Sequence, residues 1–268
     1  MSVQARRVTI EPLNLSVTLI RALCRGAAPE QTNIGSATGF FYREGTRIYL
    51  ITNKHVVFDS EKGLYPDNLQ IRVHTSQTSS ILNREIAIAL YDNDQRRLWL
   101  EHGSPQIDIV AVPIDSYIQT GDVIHCFSSA DLPPPNIFLD VQDNCMVVGY
   151  PMGFHDNDHN FPIKRVGTIA SPYGAHFSRD GTSSPLFLLD ATLHPGTSGS
   201  PVILPPTTTR RIVDGAIIRQ TLGNFPYQLL GVNSGAYTTL NLNMVWYAEL
   251  IQEIVPPTPV PPSPQPSH

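Results

Sequence analysis

A chain of 268 residues, 41% hydrophobic and 15% charged, has enough apolar material for one enzyme-sized body with a sizeable core. Its formal net charge of -5, with no run of Lys or Arg beyond the pairs Arg6-Arg7 and Arg210-Arg211, argues against a nucleic-acid ligand. The apolar window 8–23 is interrupted by Glu11, Pro12, Asn14 and Arg21, which excludes both a membrane span and a signal-peptide core, so a soluble, cytoplasmic protein is expected.

Short β-branched and aromatic runs recur along the chain at 39–42, 48–51, 69–73, 107–112, 146–148, 186–189 and 229–232, separated by turn residues. This rhythm predicts an antiparallel all-β protein, and the lack of long helical patterns between the runs disfavours a parallel α/β sheet. Near the end, Tyr247, Leu250, Ile251 and Ile254 follow helical spacing, which predicts one helix with Asn241 or Asn243 as its N-cap. Past Val255, residues 256–268 are dominated by proline, so the folded part is expected to stop there. An extended, disordered tail, a linker and a recognition segment are all open readings of that stretch. The cysteines Cys24, Cys126 and Cys145 are odd in number and lack Cys-x-x-Cys spacing, which favours free buried thiols, with a Cys126–Cys145 bridge as the alternative.

Three segments carry chemistry. In His194-Pro-Gly-Thr-Ser-Gly-Ser-Pro201 the glycines Gly196 and Gly199 flank Ser198 and permit a tight turn that exposes its hydroxyl. The amides of Gly196 and Ser198 could then converge on one oxyanion. Upstream, His55 follows an apolar strand in Tyr49-Leu-Ile-Thr-Asn-Lys-His-Val-Val57. In Ile107-Asp-Ile-Val-Ala-Val112 a single carboxylate, Asp108, sits in an apolar run; burying it unpaired would cost several kcal/mol, so it requires a donor, for which an imidazole N–H is suited.

These blocks, in the order histidine, aspartate, serine, resemble those of the trypsin-like, chymotrypsin-fold serine peptidases. Val148-Gly-Tyr-Pro-Met-Gly153, Val166-Gly-Thr-Ile-Ala-Ser171, Leu189-Asp-Ala-Thr-Leu-His-Pro195 and Gly231-Val-Asn-Ser-Gly235 are most similar to the bacterial HtrA/Deg-type branch. The resemblance implies two six-stranded Greek-key β-barrels, residues 1–120 and 121–255, with a C-terminal helix and the cleft between them. It implies a serine endopeptidase with His55, Asp108 and Ser198 as triad, an acyl-enzyme intermediate and a protein or peptide substrate. No metal or organic cofactor is needed. Activity should fall as acid protonates His55. A catalytically silent or latent peptide-binding module of the same fold is the competing expectation.

By the same resemblance, substrate lies along the strand holding Val232, Asn233 and Ser234, and Thr192 stands where enzymes that cut after Lys or Arg carry an acid. An uncharged residue before the scissile bond is therefore expected. Some positions depart from the pattern: Thr197 replaces the aspartate that pairs with a new N-terminus in digestive enzymes, and Ser200 replaces a usual glycine. Prolines follow where Deg-type enzymes carry a PDZ domain. The crowded residues 155–159 and 91–94 read as solvated loops, because neither supplies a fixed ligand set.

Overall fold

The computed structural model describes residues 10–25, 31–205, 208–213, 216–221 and 227–257, so most of the proline-rich tail, 258–268, lies outside the described residues. The architecture is all-β. In the N-terminal half, β1 (Val17–Arg25), β2 (Gln31–Glu44), β3 (Arg47–Thr52), β4 (Asn68–His74), β5 (Asn83–Ala89), β6 (Leu100–Glu101) and β7 (Val110–Pro113) form one seven-stranded sheet in the order β5-β4-β1-β2-β3-β7-β6. Ile88 on the edge strand β5 and Val110 on β7, the strand next to the other edge, share one core cluster, so the sheet wraps around that core.

A short strand, β8 (Ile137–Phe138), precedes β9 (Asn144–Gly149) and β10 (Ile163–Ile169). The hairpin β11 (Phe177–Arg179) and β12 (Thr182–Ser184) leads to β13 (Leu186–Asp190) and β14 (Pro201–Leu204). After β15 (Thr208–Val213) and β16 (Ala216–Thr221), which form a small sheet with β8 in the order β16-β15-β8, come β17 (Gln228–Tyr237) and β18 (Leu242–Tyr247). Strands β10-β13-β18-β17-β14-β9 close into a barrel.

Alternation along the strands explains why so many runs are apolar without interruption. On β3, Ile48 and Leu50 enter the core of the first half, whereas Tyr49 and Ile51 enter a second cluster shared with Val148, Ile203 and Trp246 of the barrel. On β13, Leu186 and Leu188 join that shared cluster while Phe187 and Leu189 fill the barrel interior. The shared cluster is thus a seam between the halves. A short helix, α2 (Leu250–Ile254), adds Leu250, Ile251 and Ile254 to it, and the buried Val255 ends the packed region.

The helix corrects one expectation. Tyr247 belongs to β18, where it pairs with Gly231, so its helical spacing from Leu250 is a coincidence. Neither predicted cap serves: Asn241 closes a 3-10 turn with φ +54°, and Asn243 lies within β18, while Glu249 occupies the N-cap position. All three cysteines are free, which removes the Cys126–Cys145 alternative; Cys145 is buried, and desolvation pushes its thiol up to about 12. Among the described residues no helix is long and apolar enough to cross a membrane.

Candidate active site

Strand β3 ends at Thr52, and the extended Asn53 leads into the helical turn α1 (Lys54–Val57). Val56 and Val57 anchor that turn in the first core, which leaves His55 facing outward. Asn53 ties the turn to the next segment by donating Nδ2–H to the Asp108 carbonyl at 2.6 Å. Ile107 and Ile109 are buried in the seam, so the intervening Asp108 points the other way, towards His55. Asp108 precedes β7 and is half-buried, its side chain 23% exposed, where the sequence suggested a buried strand residue.

Its carboxylate accepts three hydrogen bonds: from the His55 backbone N–H at 3.0 Å, from His55 Nδ1 at 2.7 Å and from Ser234 Oγ at 2.5 Å. A carboxylate only accepts, so the proton in the His55 contact sits on Nδ1 and the lone pair is left on Nε2.

The nucleophile segment is a β-turn closed by Thr197 N–H to His194 O at 3.2 Å, with Pro195 and Gly196 at its corners. Gly196 has φ +93°, the value a type II turn demands at that corner. Pro195 O accepts the Met152 N–H at 2.5 Å, and Thr197 O accepts from Ser200 N–H at 3.0 Å and Asn233 Nδ2 at 2.9 Å. Across a planar trans peptide the N–H points opposite the C=O, so tying these two carbonyls inward turns the Gly196 and Ser198 amides away from the ties. Neither amide donates to an acceptor among the described residues.

Thr38 is the hub beneath this segment. Fully buried, it donates Oγ1–H to Gly196 O at 2.8 Å, accepts the Tyr150 N–H at 3.0 Å, and gives its own N–H to Ser198 O at 2.9 Å. Sequence reasoning passed over it, although Thr38 shares the inward face of β2 with Phe40 and Tyr42, and a buried hydroxyl needs acceptors. Ser200 is accommodated because Gly149 lies against it: a Cβ on Gly149 would collide with Ser200 Oγ and come within 2.8 Å of Thr38 Oγ1. The serine and the glycine therefore fit as a pair.

His55, Asp108, Ser198 and Ser234 line one cleft of about 770 Å³. In this structure the Ser198 hydroxyl makes a long 3.3 Å hydrogen bond to the Ser234 carbonyl. The β17–β18 register slips between Asn233 and Ala236, so Ser234 and Gly235 form a bulge outside the register pairs with β18, and both line the cleft. Beside it on β18, Asn243 and Met244 contribute uncharged lining; Asn243 is buried and spends its Nδ2 on Leu189 O and Ala191 O at 3.3 and 2.7 Å.

Of the residues chosen for substrate contact, Ser234 lies on the cleft wall, and Asn233 touches it but spends its amide on Thr197 O. Val232 does not reach the cleft: it is fully buried and paired with Pro201 and Trp246, because strand alternation turns it into the seam. Thr192 is exposed and outside the lining, where Leu193 and His194 stand instead. The 155–159 loop spends its groups on hydrogen bonds within the protein. His159 Nδ1 pairs with Ser80 Oγ at 2.6 Å, and Asp156 accepts the backbone N–H groups of Asp158 and His159 at 3.0 and 2.8 Å.

Comparison with known proteins adds three findings. The model of the trypsin-like peptidase domain matches residues 37–207, more than half of the chain. The crystal structure of Deg5 is similar at a TM-score of 0.52 and 15% identity, covering 90% of this chain and 87% of that one. The protease domain of MamO from Magnetospirillum magneticum, in its apo form, also gives a TM-score of 0.52, with 16% identity over 90% of this chain and 96% of that one. At such identities the likeness is one of fold. No curated protein sequence matches.

Proposed function

Because the chain belongs to the trypsin-like peptidase domain family and is a serine protease of that kind, we propose that it is an endopeptidase with His55, Asp108 and Ser198 as its catalytic triad. His55 Nε2 takes the Ser198 Oγ proton as Oγ bonds to the scissile carbonyl carbon, and the Gly196 and Ser198 amides receive the negative oxygen. The C–N bond breaks as His55 returns that proton to the departing nitrogen, leaving an acyl-enzyme. Water, deprotonated by the same imidazole, attacks the ester carbon; the C–Oγ bond then breaks as His55 passes that proton to Ser198 Oγ, freeing the serine and the new acid. The Asp108 carboxylate fixes the Nδ1–H tautomer and stabilises the imidazolium. The first half, residues 1–120, supplies His55 and Asp108, and the second, 121–255, supplies Ser198.

The observation that carries this reading is the Asp108 carboxylate, which accepts from His55 Nδ1 at 2.7 Å in the cleft that Ser198 also lines. The bulged stretch at Ser234 and Gly235, which lines the cleft, suits an extended peptide that adds as a strand. The Asn243 and Met244 lining suits an uncharged side chain before the scissile bond.

A latent form is the second reading, favoured by the Ser198 hydroxyl resting on Ser234 O. The two separate in an assay with internally quenched peptides blocked at both ends. Wild type cuts within them and Ser198→Ala does not. Intact peptides in a folded wild-type sample favour the latent or silent form, and equal cleavage by both proteins removes Ser198 from the mechanism.

A further inference from the structure

A second concavity meets the cleft at His55 and Ser198, the two residues among those described that line both. Apart from them its walls are Ala22, Ile34, Ala37, Val56 and Leu64, with Gly35 and Ser36, and among the described residues that line it His55 is the one titratable group. We propose that this protease selects on the departing side of the scissile bond, seating a branched aliphatic side chain of the first departing residue (P1′) in this pocket. The inference rests on the peptidase reading above and adds the substrate class.

Connectivity assigns the pocket. The carbonyl carbon bonded to Ser198 Oγ has an acyl chain on one side and the departing nitrogen on the other. With the acyl chain along Ser234 and Gly235, the nitrogen must lie by His55, which protonates it, and its residue continues beyond His55 into the second concavity. The volume there is about 100 Å³, several water-sized units of ~30 Å³, which suits a branched aliphatic side chain.

Local structure builds the pocket from separate elements. The β1–β2 register slips so that Ala22 faces Gly35 and Leu23 faces Asn33, which leaves Ile34 as the bulged residue. A bulge re-aims a side chain, and such features concentrate beside active sites. From a separate segment, Leu64 is held by paired backbone hydrogen bonds with Asp59, at 2.9 and 2.8 Å, that close the loop 59–64. Ala22 and Ala37 are buried and small, so they give depth without filling it.

Internally quenched peptides identical except at P1′ (Leu, Ile, Val, Gly, Asp or Lys) test the proposal. Wild type is expected to favour the aliphatic residues over Gly and Asp by at least about tenfold in kcat/KM, the lower end of what a hydrophobic pocket yields. Leu64→Glu should swing the ratio of Lys to Leu by about tenfold towards Lys. Ile34→Glu, on a different element of the same pocket, should do the same and gives a second reading if the first variant fails to fold. Equal rates across the set, a preference for Gly or Asp, or an unchanged ratio in both folded variants overturns the inference while leaving the peptidase reading intact. A folded wild type that cuts none of the peptides overturns both.

Discussion

Asp108→Asn should lower kcat by about 10⁴-fold and leave KM within a few-fold, the loss known for the same change in the template triad. The substitution keeps the side chain's size, and its remaining oxygen can still accept one of the present bonds. What changes is the group facing His55 Nδ1. An amide there can present N–H instead of a lone pair, which favours the imidazole tautomer protonated on Nε2. That nitrogen could then no longer take the Ser198 proton. The carboxylate now accepts from Nδ1 at 2.7 Å, so the effect belongs to the chemical step. Steady-state kinetics with a quenched peptide, beside a melting curve showing a folded variant, would measure it. Losses below tenfold would mean that Asp108 only braces the loop.

Gly196→Ala should lower kcat by about 10²- to 10³-fold, the scale of losing one oxyanion donor. At φ +93° an added Cβ would stand 2.6 Å from Tyr150 O and 2.8 Å from Met152 N, closer than real Cβ atoms approach. Relief requires the Pro195–Gly196 peptide to move, which breaks the Met152 N–H bond to Pro195 O that aims the Gly196 amide. Substrate should still bind along Ser234 and Gly235, so KM moves less than kcat. Activity within threefold of wild type in a folded sample would show that this amide receives no charge.

Much of this was legible in the residues because strands declare themselves by short apolar runs, and because His55, Asp108 and Ser198 each sit in a distinctive neighbourhood. The uninterrupted apolar character of 48–51 reads as a buried strand, and the structure supplies the reason: its two faces enter different cores. What escaped depends on register. Val232 sits next to Asn233 in sequence, yet alternation buries it in the seam. Thr38 works through atoms more than a hundred residues away in Gly196 and Tyr150. The Ile34 bulge arises from one unmatched residue between two paired strands, which periodicity within β2 alone does not reveal. The helix was misplaced by a spacing that both Tyr247 in a strand and Leu250 in a helix satisfy.

The central claim is that His55 and Asp108 activate the hydroxyl of Ser198. Treating the folded protein with a fluorophosphonate and mapping the adduct by peptide mass spectrometry reads that activation with no assumption about substrate. A single phosphonylation on Ser198, absent in Ser198→Ala and strongly slowed in Asp108→Asn, is the predicted result; an unlabelled Ser198 in folded wild type, or an adduct on another residue, would contradict it.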